Sequence, residues 1–187
     1  MTRRYRAFGT LLLLTVLVAG CGFPTQGSSS KVVAEEPPSL ITEPEGGRPS
    51  LETVSVWFVG NERLEPGSRR LESPADAGSV LATLLAGPSP SEVERGLRSA
   101  IPAAEMLVGV TVSAGRAEVQ LASDFLDIPA GDQVLALGQI VFSMTDLRGV
   151  GRVRFLIDDE PVVIPLPSGD SSQDSVSRDD FEALVEV

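Results

Sequence analysis

The sequence predicts a two-layer α+β domain, a mixed and mostly antiparallel sheet with two main helices on one face. Three observations predict it. Runs of alternating or β-branched residues come in adjacent pairs, Leu107 to Ser113 with Arg116 to Leu121, and Arg152 to Ile157 with Val162 to Ile164. Two segments, around Val80 and around Leu137, carry apolar residues at helical spacing. The links within the strand pairs are short, which favours antiparallel pairing.

The first element is Val54-Ser55-Val56-Trp57-Phe58-Val59, a strand by its β-branched and aromatic content. Gly60-Asn61 and Pro66-Gly67 punctuate the next stretch of chain, so Arg69 to Glu72 is expected to form a short second strand. Ser73-Pro74-Ala75-Asp76 then opens a helix, with Ser73 as cap and Pro74 at the first helical position. Ala77, Val80, Leu81, Leu84 and Leu85 form its core stripe, and Gly87-Pro88 stops it.

Ser89 to Ala100 is charged and short, enough for one or two helical turns before Ile101-Pro102. Leu107 to Ser113 and Arg116 to Leu121 are strands joined at Ala114-Gly115 in a tight hairpin. In the second, Ala117, Val119 and Leu121 face one way and Arg116, Glu118 and Gln120 the other, so one sheet face is packed and one is wet. Asp132 is expected to cap a long helix whose stripe is Val134, Leu137, Val141 and Met144. Val153, Phe155 and Ile157 point inward from the next strand, and Asp158-Asp159-Glu160-Pro161 turns it into Val162-Val163-Ile164. Ser168 to Ser175 is a polar loop, and Phe181, Leu184 and Val185 give a short amphipathic turn.

Before the domain, residues 1–20 have the layout of a secretory leader. Arg3, Arg4 and Arg6 precede an apolar run from Ala7 to Ala19. That run is shorter than the roughly 20 residues of a membrane-spanning helix. Val18-Ala19-Gly20-Cys21 ends it, and these residues resemble the lipobox of bacterial lipoproteins. The resemblance implies cleavage before Cys21, a diacylglyceryl group on its thiol and acylation of the new amine. The expected location is the extracytoplasmic face of the cell membrane. Residues 21–51 read as a disordered tether, with Ser28-Ser29-Ser30, Pro37-Pro38 and Gly46-Gly47 and almost no apolar periodicity. Its reach is on the order of 30 Å. Residues 52–167 form the domain, and 168–187 a polar loop with a short C-terminal helical segment.

Composition narrows the chemistry. The chain carries a formal charge of −11, and removal of the leader's arginines makes the remainder more acidic still. An acidic surface repels nucleic acid and gives no electrostatic help at an anionic membrane, so the lipid must hold the protein there. There is no histidine, the single cysteine is Cys21, and the only lysine, Lys31, lies in the tether. Ser-His-Asp, Cys-His and Ser-Lys nucleophilic arrangements are therefore excluded from the domain, as are cysteine or histidine zinc sites. A two-carboxylate hydrolase is the main surviving enzyme class.

Several segments, in order, resemble the GerMN domain, named after a spore germination and sporulation protein. They are the strand ending Trp57-Phe58, the helix ending Leu84-Leu85-Ala86-Gly87-Pro88, and Leu97-Arg98-Ser99-Ala100-Ile101-Pro102. Val119 to Phe125, Gln139 to Thr145, Val150 to Phe155 and the closing Ser177-Arg178-Asp179-Asp180-Phe181 complete the set. The resemblance implies a compact αβ domain of the extracytoplasmic envelope, often on lipoproteins, similar in outline to the ring-building domains of secretion and sporulation machines. It implies no catalytic residues and no cofactor. Larger actinobacterial lipoproteins add a β-propeller to such domains, and none is expected here.

The candidate sites are few. Arg152 and Arg154 share a sheet face and could grip a carboxylate or phosphate; Arg69 and Arg70 are the other cationic spot. Asp158, Asp159 and Glu160 cluster in a turn, without the spacing of a 12-residue calcium loop. Asp124, Asp127 and Asp132 are expected at caps and turns, Trp57 half-buried, and Gln139 and Thr145 as polar surface positions. The expected function is a membrane-anchored, non-catalytic interaction module in envelope assembly, docking on an envelope protein or on itself. The alternatives are a cell-wall ligand-binding lipoprotein, through the arginines and Trp57, and a glycan hydrolase using Asp124 and Asp159.

Overall fold

The computed structural model describes residues 50–185; the leader, Cys21 and the tether up to residue 49 lie outside the described residues. Strands β1 (Leu51–Gly60) and β2 (Arg63–Glu72) form an antiparallel ribbon. Its tip, Asn61-Glu62, has φ of 50° and 59°, the left-handed pair of a tight hairpin turn. The second strand is longer than Arg69 to Glu72. It runs through Pro66 and Gly67 because among the described residues only β1 pairs with it, so a proline lacking N–H is tolerated on its free side.

Helix α1 (Ala77–Leu85) buries Ala77, Val80, Leu81 and Leu84, as its stripe predicts. Its cap is Asp76 rather than Ser73: the Asp76 carboxylate accepts the Ser79 N–H at 2.8 Å. Ser73 and Ala75 are instead held by Glu52, whose carboxylate takes the Ser73 hydroxyl at 3.0 Å and the Ala75 N–H at 2.6 Å. A one-turn helix, α2 (Pro90–Glu94), comes next.

Strands β3 (Leu107–Ser113) and β4 (Arg116–Leu121) pair antiparallel through Ala114-Gly115, at φ of 50° and 79°, as the sequence predicts. Helix α3 (Ala130–Thr145) then crosses over to β5 (Arg152–Ile157), which lies parallel to β4. The result is a four-stranded sheet of order β3-β4-β5-β6, with β6 (Glu160–Pro161) after the Asp158-Asp159 turn. The expected strand Val162 to Ile164 is broken up. The residues that pair back onto β5 are Glu160 and Pro161 of the expected turn, and Ile164 joins Pro165 in β7 (Ile164–Pro165), which pairs instead with β8 (Ser171–Ser172); the two prolines, lacking N–H, keep both ladders short.

α3 begins at Ala130 after Pro129, not at a cap on Asp132. It is buried nearly all round from Leu135 to Met144, not on one stripe. Its position explains this: it packs against α1, β1, β2, β5 and the C-terminal segment. Within the two-layer architecture, α1 and α3 cover the inward residues Ala117, Val119, Val153 and Phe155. Among the described residues no helix is long and apolar enough to cross a membrane.

A polar ladder joins α3 to the free edge of β1. Gln139, Ser143 and Asp146 recur at helical spacing down one side of α3 and its C-cap. The Asp146 carboxylate accepts the Ser55 N–H at 2.7 Å, and the Ser143 hydroxyl accepts the Trp57 N–H at 2.9 Å. Gln139 donates to the Trp57 carbonyl at 3.0 Å and accepts the Ala100 N–H. Arg98 completes the row, exchanging two backbone hydrogen bonds of 2.8 Å with Val59.

The C-terminal segment docks. A 3-10 turn, Asp179–Leu184, buries Phe181 completely, and Val176 bridges to Val153. Gly138 makes room for it, since a Cβ there would fall against Leu184 and Leu64. Phe181→Ala should therefore destabilise the protein by about 3–5 kcal/mol in urea unfolding. A loss below about 1 kcal/mol would mean the segment adds little to the fold.

Candidate functional site

Two arginine centres organise the surface around the core. The first is Arg69 on β2, whose guanidinium meets Glu92 of α2 as a fork, Nη1 to Oε1 at 2.9 Å and Nη2 to Oε2 at 2.6 Å. Glu92 is 5% exposed. Its carboxylate also accepts the Ser89 N–H at 2.7 Å, as the Ser89-Pro90-Ser91-Glu92 capping pattern allows. Hydrogen bonds from Arg69 outweigh burial and hold the Glu92 carboxyl down to about 2. Gly67 is part of this centre, because a Cβ there would strike the Glu92 carboxylate. Arg69 also lies 5.2 Å from the centre of the Phe58 ring.

The second is Arg178. Its Nε donates to the Thr145 hydroxyl at 2.8 Å, and its Nη2 to the Phe142 carbonyl at 2.9 Å and the Asp146 carboxylate at 3.1 Å. It lies over the rings of Phe142 and Trp57, which themselves pack 4.7 Å apart. A cation at these carbonyls is the ordinary complement to a helix C-terminus.

These centres correct two expectations. Gln139 is fully buried and holds β1, and Thr145 holds Arg178; neither is a polar surface position. The signal that could have found Gln139 is its period with two other polar residues, a row to which Thr145 does not belong. Gln139, Ser143 and Asp146 repeat like a core stripe, which solvent-facing residues have no reason to do.

The wet face of the β3-β4-β5 sheet carries the other candidates. Arg116 pairs with Glu118 at 2.9 Å, and Gln120 Nε2 donates to Asp159 at 2.7 Å. Arg152 and Arg154 stand on this face, the latter across from Glu118. Arg152 donates to the Ser175 carbonyl at 3.1 Å, and Arg154 lies 3.7 Å from the exposed Asp174. Two atoms here are buried without a partner, Gln120 Oε1 and Arg154 Nε. A depression of about 370 Å3 opens between β3 and Asp159. A second, of about 410 Å3, lies between the start of α3 and Leu184.

The remaining carboxylates are scattered. Asp158 and Asp159 form the β5–β6 turn with positive φ, and Asp124 and Asp127 sit in a 3-10 turn, Ser123–Asp127. Asp132 pairs with Arg98 at 3.0 Å. Among the described residues no three acidic, cysteine or histidine side chains converge as a metal site would require.

The family model described as Germane, sporulation and spore germination, matches residues 45–163. The chain belongs to this family. Its GerMN domain is similar in fold to the tandem GerMN domains of the sporulation protein GerM from Bacillus subtilis. Identity is 17% and the TM-score 0.50, over 70% of this chain and 46% of that one, so this chain spans about half the length of that structure. The first GerMN domain of the same protein gives 16% identity and a TM-score of 0.48, covering 68% of this chain and 98% of that one. A Clostridium perfringens protein described as a candidate lipoprotein gives 15% and 0.45, covering 73% and 93%. No curated protein matches the sequence.

Within the GerMN domain the Arg69–Glu92 pair makes two predictions. Arg69→Met strands a buried carboxylate and should cost about 3–5 kcal/mol, whereas Arg69→Met combined with Glu92→Leu should cost much less. Equal losses in urea unfolding would show that the pair carries no buried charge. The pair also sets an acid dependence. The Glu92 carboxyl is lowered on folding, so its stabilisation is complete above its ordinary value of 4.5 and is lost as pH falls through about 2. Glu92→Gln should flatten the pH dependence of unfolding in that interval; an unchanged slope would remove Glu92 from the acid transition.

Proposed function

We propose that this chain is a lipoprotein anchored through acyl groups on Cys21 at the extracytoplasmic face of the cell membrane. Its GerMN domain is then a non-catalytic interaction module in cell-envelope assembly, carried on a tether of residues 21–51. The observation that carries this reading is where the buried polar side chains are spent. Gln139 and Ser143 hold β1, Glu92 holds Arg69, and Gln133 donates to the Phe125 carbonyl at 3.1 Å. Each serves the fold, as in a binding scaffold rather than a reactive centre. The leader pattern ending at Cys21 supports the location. Cys21→Ser should release the protein from membranes or leave it unprocessed, and the intact mass of the wild type should include fatty acyl groups. A mature chain of unmodified mass ends the lipoprotein reading.

A second reading, recognition of an anionic cell-wall group, is favoured by the unpartnered Arg154 Nε beside Arg152. Retention on isolated cell wall should then be lost in Arg152→Gln/Arg154→Gln. Retention equal to wild type rejects those two residues as the anion site. The hydrolase alternative has the least support. Asp124→Asn and Asp159→Asn are expected to leave wall degradation unchanged, and loss of a wild-type activity in either variant would reinstate it.

A further inference from the structure

The fold treats its long strand edges differently: the outer edge of β2 carries Pro66 and several charged residues. The free edge of β1 is closed by α3 side chains and by Arg98. The outer edge of β3 pairs with no strand among the described residues. Every second residue of such an edge turns its N–H and C=O outward, a template for another strand. A bulge between Leu107 and Gly109 interrupts the start of this edge, but from Gly109 to Ser113 the usual chemical protection is missing. Leu107–Ser113 contains no charged residue and no proline, and Val108 and Val112 are 67% and 47% exposed.

The edge also adjoins a site with a chemical preference. The depression on the wet face is lined by Val108 and Thr111 of β3, Glu118 and Gln120 of β4, and Leu156 and Asp159 beyond. None of its described lining residues is cationic. Gln120 donates its Nε2 to Asp159, which leaves its Oε1 buried without a donor. Glu118 offers Arg116 only Oε1. Among these lining residues acceptors therefore exceed donors; Arg154, across from Glu118, stands outside the lining with its Nη2 toward Asp174, so an occupant of the depression gains most by supplying N–H groups or positive charge.

We propose that the outer edge of β3 takes an added strand from a partner protein, an extended segment with arginine or lysine at alternate positions whose side chains reach Glu118, Gln120 and Asp159. Main-chain hydrogen bonds along β3 give affinity, and alternate side chains falling to one face give selectivity. A second copy of this chain fits less well: its own β3 has no cation to offer, and the chain as a whole is acidic. The proposal rests on reading the chain as an interaction module.

Two experiments test it. An acetylated heptapeptide alternating valine with arginine should bind the mature chain and shift the backbone amides of residues 107–113 and the side-chain amide of Gln120. A valine–glutamate counterpart should not. Glu118→Gln/Asp159→Asn, which retains the shape of the site, should weaken binding by about three- to tenfold. Equal binding of both peptides, unmoved β3 amides or an unaffected double variant overturns the proposal. In native membranes, a photo-crosslinker at Thr111 should label an extended cationic segment of another protein, with one at Val93 as reference. Labelling of a second copy, or of residues 21–49 of the same chain, overturns the surface assignment. Labelling from Val93 alone overturns it while leaving the interaction reading intact. No labelling from either position overturns both.

Discussion

The domain depends on how the free edge of β1 is satisfied. Strand β1 is central to the packing, with Val54, Val56, Phe58 and Val59 all buried. A buried strand edge with unmade hydrogen bonds would cost about 1–3 kcal/mol for each group. Among the described residues no strand lies on that side, and α3 supplies side chains in its place. Gln139, Ser143 and Asp146 meet alternate backbone groups of residues 55 and 57, and Arg98 meets residue 59. A helix repeat of about 5.4 Å per turn against a strand repeat of about 6.6 Å per two residues keeps the two in step only briefly. That is why the ladder spans one short stretch and passes to backbone pairing at Val59.

The C-terminal segment completes the same arrangement. Asp146 is shared: one oxygen takes the Ser55 N–H and the other takes Arg178. Arg178 in turn satisfies carbonyl and hydroxyl groups at the end of α3. Leu184, six residues on, fills with Leu64 the space that Gly138 leaves on the helix, and the buried Phe181 packs beside them. Residues far apart in sequence thus fix the angle between α3 and β1. The Arg69–Glu92 fork does a separate job, tying the β2 side of the ribbon to the α2 loop, and its low-lying carboxylate keeps it ionised at ordinary pH.

Much of this is legible in the residues. Ala114-Gly115 marks a left-handed turn, and alternation along Arg116 to Leu121 separates the faces. The Ala77 to Leu84 stripe locates a helix without needing its cap. Caps are less legible because Ser73 and Asp76 are both good capping residues. The choice falls to Asp76 once Glu52, distant in sequence, engages Ser73 and Ala75. Polar residues on the buried side of α3 look like surface because apolar periodicity is silent about polar groups. Their own periodicity is present but becomes meaningful only once β1 is known to lie opposite. The candidate surface is legible as a wet sheet face, whereas the exposed edge beside it depends on strand order, which pairing decides and local sequence does not.

The contrast between the edges bears on why the fold leaves β3 as it is. An uncharged edge, interrupted only by its bulge between Leu107 and Gly109, is an aggregation liability that natural sheets usually blunt further. The acidity of the chain offers a different protection, since copies of like charge approach each other less readily. Net charge restrains self-pairing over distances up to about 10 Å at moderate salt while leaving the edge open to a partner of opposite sign. An edge guarded by net charge rather than by a lysine or a proline of its own discriminates by the charge of what approaches it. Such a device suits a domain whose buried polar groups are already committed to holding β1 and β2 in place.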